Sequence, residues 1–184
     1  MITLALDFDG VITSLSVNWK AVRLRVSSKL GKEITSLNKF FESNWGTEEF
    51  SIANTIVKRY EIEAVGRSPL FPDVIPSLEL ARQRGSRVYI SSMQSVEALS
   101  LFMAKYALAE YFQGILGRED VANKELQLRK IALADRVGES RNLVLIDDRR
   151  QIIERCSELG FRCILFKRDE RSDLTRVVSG LYHR

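Results

Sequence analysis

Asp7 and Asp9 stand at the end of an apolar run, Ile2-Thr3-Leu4-Ala5-Leu6, separated by Phe8 and followed by Gly10. Two carboxylates held this close repel each other, so an adjacent cation or a raised pKa on one of them is expected. Further along, Asn142-Leu143-Val144-Leu145-Ile146 ends in a second acidic pair, Asp147-Asp148. Between the two pairs lie Arg87-Val88-Tyr89-Ile90, which runs into Ser91-Ser92, and Lys124, which follows a polar stretch from Arg118 to Asn123. Paired acids can hold a hard cation, a hydroxyl or a backbone N–H can donate to an anionic oxygen, and a lysine can offset developing negative charge. Taken in order, these residue types supply what phosphoryl transfer needs.

The two acidic pairs and the serines each close a short apolar run, which says what must position them. Runs of four to six apolar residues with turn signals after them read as strands buried on both faces, as in a parallel sheet covered by helices. Ligands bind such sheets at the carboxyl ends of the strands, where Asp7, Ser91 and Asp147 fall. Gly10 permits a sharp turn or a close approach of the backbone. Helical spacing recurs between the strands: Val74, Leu78 and Ala81 up to Gly85; Val96, Leu99, Phe102, Met103 and Tyr106; a stretch from Lys124 to about Val137; and Ile152, Ile153, Cys156 and Leu159 up to Gly160. Gly114 to Gly117 and Arg162 to Phe166 read as further strands, and Leu174, Val177, Val178 and Leu181 as a terminal helix. The alternation predicts an α/β fold, a doubly wound parallel sheet of Rossmann-like type.

One interval breaks the alternation. The stretch 14–68 is far longer than a single crossover needs. It is helical in pattern: Trp19, Val22, Val26 and Leu30 before Gly31; Leu37, Phe40 and Phe41; then Thr47 as a cap for Phe50, Ala53, Ile56, Val57 and Tyr60. The expected organisation is a core of residues 1–13 and 69–184 with a small all-helical cap, 14–68, inserted after the first acidic pair. The cap aromatics are expected to form its own core. Lys20, Arg23 and Trp45 are possible ligand contacts, with a solvated or packed role the expectation for each.

Composition restricts the classes. The 184 residues are 45% hydrophobic, a globular value, and 28 basic against 24 acidic residues give a net charge of +4. Basic residues are scattered, as in Arg82/Arg84 and Arg149-Arg150, so a solvated surface that favours anionic metabolites is expected rather than nucleic-acid binding. The chain has neither a signal-peptide pattern nor an apolar run long enough to span a membrane, which points to a cytoplasmic protein. Cys156 and Cys163 sit among apolar neighbours and read as core residues. The single histidine, His183, is next to last, which argues against Ser-His-Asp or Cys-His catalysis and leaves acid–base work to carboxylates.

With strand-DxDG, strand-Ser, Lys and strand-DD present in that order, the chain resembles the haloacid dehalogenase-like (HAD) superfamily of phosphohydrolases. The resemblance runs from Met1 to about Arg168 and includes Leu70-Phe71-Pro72-Asp73-Val74, with Asp73 where many relatives have glycine. It implies a Mg²⁺-dependent phosphatase acting on a small phosphorylated metabolite through an aspartyl-phosphate. In that scheme Asp7 is the nucleophile and Asp9 the general acid and base. Ser91, Ser92 and Lys124 bind the phosphoryl group. Asp7, Asp9, Asp147 and Asp148 form the metal site, with Asp148 the expected closer ligand of the last pair. Three alternatives stay open: a phosphoacceptor receiver domain, though it would lack a large helical insertion; a HAD-fold binding or regulatory protein; and another HAD chemistry such as a phosphomutase.

Overall fold

A computed structural model describes residues 2–169 and 171–182. His183, which entered the sequence argument, lies outside the described residues. Five parallel strands form one sheet in the order β3-β2-β1-β4-β5: β1 (Thr3–Leu6), β2 (Arg87–Ser91), β3 (Gly114–Leu116), β4 (Leu143–Asp147) and β5 (Arg162–Leu165). β1 is central, and every residue in it is buried. Side chains alternate across a strand. Leu4 and Leu6 therefore join Val88, Ile90, Val144 and Ile146 in one core cluster, while Ala5 joins Leu143, Leu145 and Leu116 in another.

Helices cover both faces. α4 (Val74–Gln83), α5 (Val96–Lys105) and α8 (Leu174–Gly180) pack on the first cluster; α6 (Lys124–Ala134) and α7 (Arg150–Glu158) pack on the second. Because the connections lie on opposite faces for β1–β2–β3 and for β4–β5, the order reverses between β1 and β4, and a crevice opens at their carboxyl ends. Cys156 is buried in the second cluster and Cys163 packs against it. α6 stops short of the expected Val137. Arg136 adopts a left-handed φ of 51°, and the Asp135 carboxylate is held by Thr3 Oγ1 at 2.7 Å, Arg87 Nη1 at 2.8 Å and Tyr89 Oη at 2.7 Å.

The segment after β1 carries α1 (Trp19–Leu30), α2 (Leu37–Ser43) and α3 (Glu48–Val65). Each starts where a polar side chain takes a free backbone N–H: Asn18 from Ala21, Ser36 from Lys39 and Thr47 from Phe50. Their apolar faces meet in a cluster of their own, with Val22 and Val26 from α1, Phe40 and Phe41 from α2, and Phe50, Ala53 and Val57 from α3. The chain departs and returns at one place: Thr13 pairs with Leu70, and Phe71 N–H donates to the Ile12 carbonyl at 3.1 Å.

Candidate active site

The period of two along a strand, carried one residue past the core, decides which polar groups meet. Asp7, Ser91 and Asp147 continue the face of Ala5, Tyr89 and Leu145, and so point toward α6. At the first position of α6, with Asn123 capping the helix, Lys124 projects among them. Its Nζ donates to Asp7 Oδ1 at 2.7 Å and to the Ser91 carbonyl, and lies 3.0 Å from Asp147 Oδ2. The lysine is 1% exposed, so this is a buried ion cluster rather than a solvated helix-start lysine.

Asp7, Asp147 and Asp148 each offer an oxygen within 4.8 Å of the others. Asp147 Oδ2 is buried and has no hydrogen bond, whereas Oδ1 accepts from Arg149 N–H at 2.8 Å. Gly10 has φ +88°, and a Cβ on it would lie 2.7 Å from Asp148 Oδ2. The glycine after the first acidic pair thus makes room for an acid of the second. An oxygen-only set of three carboxylates, one of whose buried oxygens makes no hydrogen bond, fits a hard divalent cation such as Mg²⁺. Asp9, expected among the ligands, lies outside this trio of converging carboxylates: its Oδ1 accepts from Leu15 N–H at 2.8 Å, and it lines the cavity above.

Electrostatics separate the acids. Burial, then the like charge of Asp147, pushes Asp7 up to about 6 against the pull of Lys124 and Arg149. Burial also works to raise Asp147, but Lys124 and Arg149 more than offset it and hold that carboxyl below its ordinary value. Asp9 is raised, mainly by burial and against the Leu15 N–H; Asp148 is raised by burial and then by Asp147. The surrounding cations thus favour the anionic form of Asp147, and burial favours the protonated form of Asp9.

The serines are engaged within the protein. Ser91 Oγ donates to Gln127 Oε1 at 2.6 Å; Gln127 Nε2 in turn donates to the carbonyls of Ser92 at 2.7 Å and Gly117 at 3.1 Å. Ser92 Oγ bonds Gln94 Oε1, and Ser92 N–H donates to the Leu116 carbonyl at 2.9 Å. Neither serine lines the cavity; Met93 and Gln94 of the same loop do.

Two arginines change their standing. Arg149, expected on a solvated surface with Arg150, lines the cavity beside Asp7 and Asp148, its Nε 3.5 Å from Asp147 Oδ1. Burial alone would lower its pKa, but the three surrounding aspartates raise it. Arg118, inside the polar stretch before Lys124, is 1% exposed and forms a two-pronged pair with Glu61 of α3: Nη1 to Oε1 at 2.6 Å and Nη2 to Oε2 at 2.8 Å. Its Nε donates to Asn54 Oδ1 at 2.6 Å, and its carbonyl accepts from Trp45 Nε1 at 3.0 Å, so Trp45 fastens α2 to the core rather than facing a ligand. A glutamate inside an apolar helix stripe was the available signal for a buried pair, but its partner could not be read from sequence. Lys20 and Arg23 do line the cavity.

Solved structures carry the same arrangement of elements. A HAD-superfamily hydrolase of subfamily IA from Geobacter sulfurreducens aligns over 98% of this chain and 96% of its own, with 13% identity and a TM-score of 0.67. The chain has the fold of the haloacid dehalogenase-like hydrolases. A predicted phosphoglycolate phosphatase from Haemophilus somnus aligns over 97% of each chain (13% identity, TM-score 0.68). A predicted phosphatase from Clostridium acetobutylicum aligns over 89% of this chain and 83% of its own (17% identity, TM-score 0.68). No family model matches the sequence, and no curated protein does. Among the described residues no helix is long and apolar enough to cross a membrane.

Proposed function

We propose that the protein is a divalent-metal-dependent phosphomonoesterase that acts on a small phosphorylated metabolite, with Asp7 as nucleophile and residues 14–68 as a cap over the site. The observation that carries this reading is the convergence of Asp7, Asp147 and Asp148 around a buried, hydrogen-bond-free oxygen at the switch point of a HAD-like sheet. A phosphate ester is a dianion, and a carboxylate attacks it only where its charge is offset. Asp7, Asp147 and Asp148 would hold a Mg²⁺ ion, which supplies that neutralisation and draws the Asp7 carboxyl to its ionised form. Lys124 steadies Asp7 from below: its Nζ donates to Asp7 and to the Ser91 carbonyl and lies 3.0 Å from Asp147 Oδ2. Arg149 adds positive charge from the cavity side.

In the first step an Asp7 oxygen bonds to phosphorus as the ester P–O bond breaks, and Asp9 gives its proton to the departing alkoxide. Burial raises its pKa above the ordinary carboxylate value, the direction a general acid needs. In the second step Asp9, now a carboxylate, takes a proton from water as the water oxygen bonds to phosphorus; phosphate leaves and Asp7 is regenerated. The hydroxyls of Ser91 and Ser92 reach the phosphoryl group in this scheme only by exchanging their bonds to Gln127 and Gln94. The cap helices contribute Trp19, Lys20 and Phe41 to the lining of the cavity that holds the acids, which suits enclosure of a small ester.

Phosphate release from a panel of small phosphomonoesters tests the reading. Turnover should need Mg²⁺, stop in excess chelator, return on readdition of Mg²⁺, and be abolished in a folded Asp7→Asn variant. Undiminished turnover in chelator would overturn it.

A further inference from the structure

The cavity has two walls of different chemistry. Its core wall presents Asp7, Asp9 and Asp148, and its helical wall presents Lys20 and Arg23. Of the four cations in the lining, Arg118 is taken up by Glu61 and Arg149 by the aspartates around it. Lys20 has neither an ion pair nor a hydrogen bond among the described residues. Arg23 is half-buried, and one nitrogen, Nη1, donates to the Thr35 carbonyl at 2.9 Å. That bond fixes the guanidinium and leaves its Nε–Nη2 edge free, the edge that grips a carboxylate or phosphate with two parallel bonds. The two cations lie three apart on α1, hence on one helix face, while Val22 and Val26 bury the other face in the α1–α3 cluster. No acidic residue stands in the first turn of α1, and Glu61, the one carboxylate that the helices contribute to the lining, is already paired.

Two cations without ion pairs, in the lining of the cavity that also holds the acids of the phosphate site, leave charge uncompensated when the leaving group is neutral. We propose that Lys20 and Arg23 form a second anion subsite, so that the preferred substrate carries a further anionic group, carboxylate or phosphate, on the part that leaves. The substrate claim rests on the phosphatase reading; the subsite itself does not. Direct binding separates them. Phosphonates with a carboxylate or a second phosphonate at the far end of a chain of one to four methylenes are not hydrolysed, and each is compared with the alkylphosphonate of equal length. Affinities are measured by calorimetry on the full chain in Mg²⁺ buffer.

At least one doubly anionic probe should bind about tenfold to a hundredfold more tightly than its alkyl counterpart, the range expected for charge-assisted hydrogen bonds. Lys20→Gln and Arg23→Gln should each reduce that preference and the double variant should remove it. Arg23→Lys, which keeps the charge and loses the fork, should retain part of it. Which tail binds better identifies the anion. Equal affinities for charged and alkyl probes, or a preference that survives in the double variant, overturn the subsite. A charged-tail preference without phosphate release from any ester would leave the subsite standing and overturn the phosphatase reading.

Discussion

Replacing Arg118 by leucine should be the most destabilising single change in the contact between α3 and the sheet. Glu61 and Arg118 are each 1% exposed, and the substitution leaves Glu61 with one bond, from Ser95 N–H at 3.1 Å, in place of three. Removing one partner of a buried pair costs about 3–5 kcal/mol, because the remaining charge is desolvated without compensation. Against a total stability of about 5–15 kcal/mol this is a large fraction, and in a domain of this size it lowers Tm by about 6–20 °C. The reverse single change, Glu61→Leu, strands the guanidinium on Asn54 Oδ1 and the Met93 carbonyl and should cost a similar amount. The double variant should recover most of the loss, since apolar side chains of similar volume replace buried pairs at little cost. Urea unfolding of the four proteins gives the coupling energy directly; it should be at least about 2 kcal/mol. A pair that opened to water would instead be worth about 0–1 kcal/mol, as surface ion pairs are. Single-variant losses below about 1 kcal/mol, or losses that simply add in the double variant, would refute a dry junction between α3 and the sheet.

Gly10→Ala should weaken both fold and metal site, because φ is +88° and the added methyl would sit 2.7 Å from Asp148 Oδ2; strain of about 1–3 kcal/mol and a fall in Mg²⁺ affinity are expected, and titration calorimetry that finds wild-type affinity would contradict the geometry. Asp7 has a folded pKa of about 6, raised from 3.8, so its contribution to stability is fully present below pH 3.8 and is lost as pH rises through 6. Asp7→Asn, which cannot ionise, should therefore raise Tm in chelator at pH 7 to 8 and lose that advantage below about pH 4. Thermal melts across pH that show a constant difference would remove burial of Asp7 as the cause.

Much of this protein is written in local sequence. The strand tips are legible because an apolar run that ends in Asp7 or Asp147 has one plausible geometry, and the helix faces because burial imposes a period close to 3.6 on Val22 and Val26 or on Leu78 and Ala81. Thr47 announces α3 for the same local reason, a side-chain oxygen beside free N–H groups. The end of α6 was not legible: Asp135 binds Thr3, Arg87 and Tyr89, partners distant in sequence.

Tertiary structure decided everything that depends on which remote residues meet. A charge in sequence carries no statement of its burial, so Arg149 beside Arg150 reads as a surface pair until the β1–β4 crevice brings it among three aspartates. Arg118 reads as part of a polar loop until Glu61 arrives from α3, and Ser91 as a free hydroxyl until Gln127 comes within 2.6 Å. Gly10 looks like an ordinary turn glycine, yet the Asp148 carboxylate occupies the space where its side chain would be. Periodicity follows from a residue's own strand or helix, and the sequence holds it. Desolvation, pairing and steric exclusion follow from the neighbours that folding brings close, and those exist only once the sheet has closed around its helices.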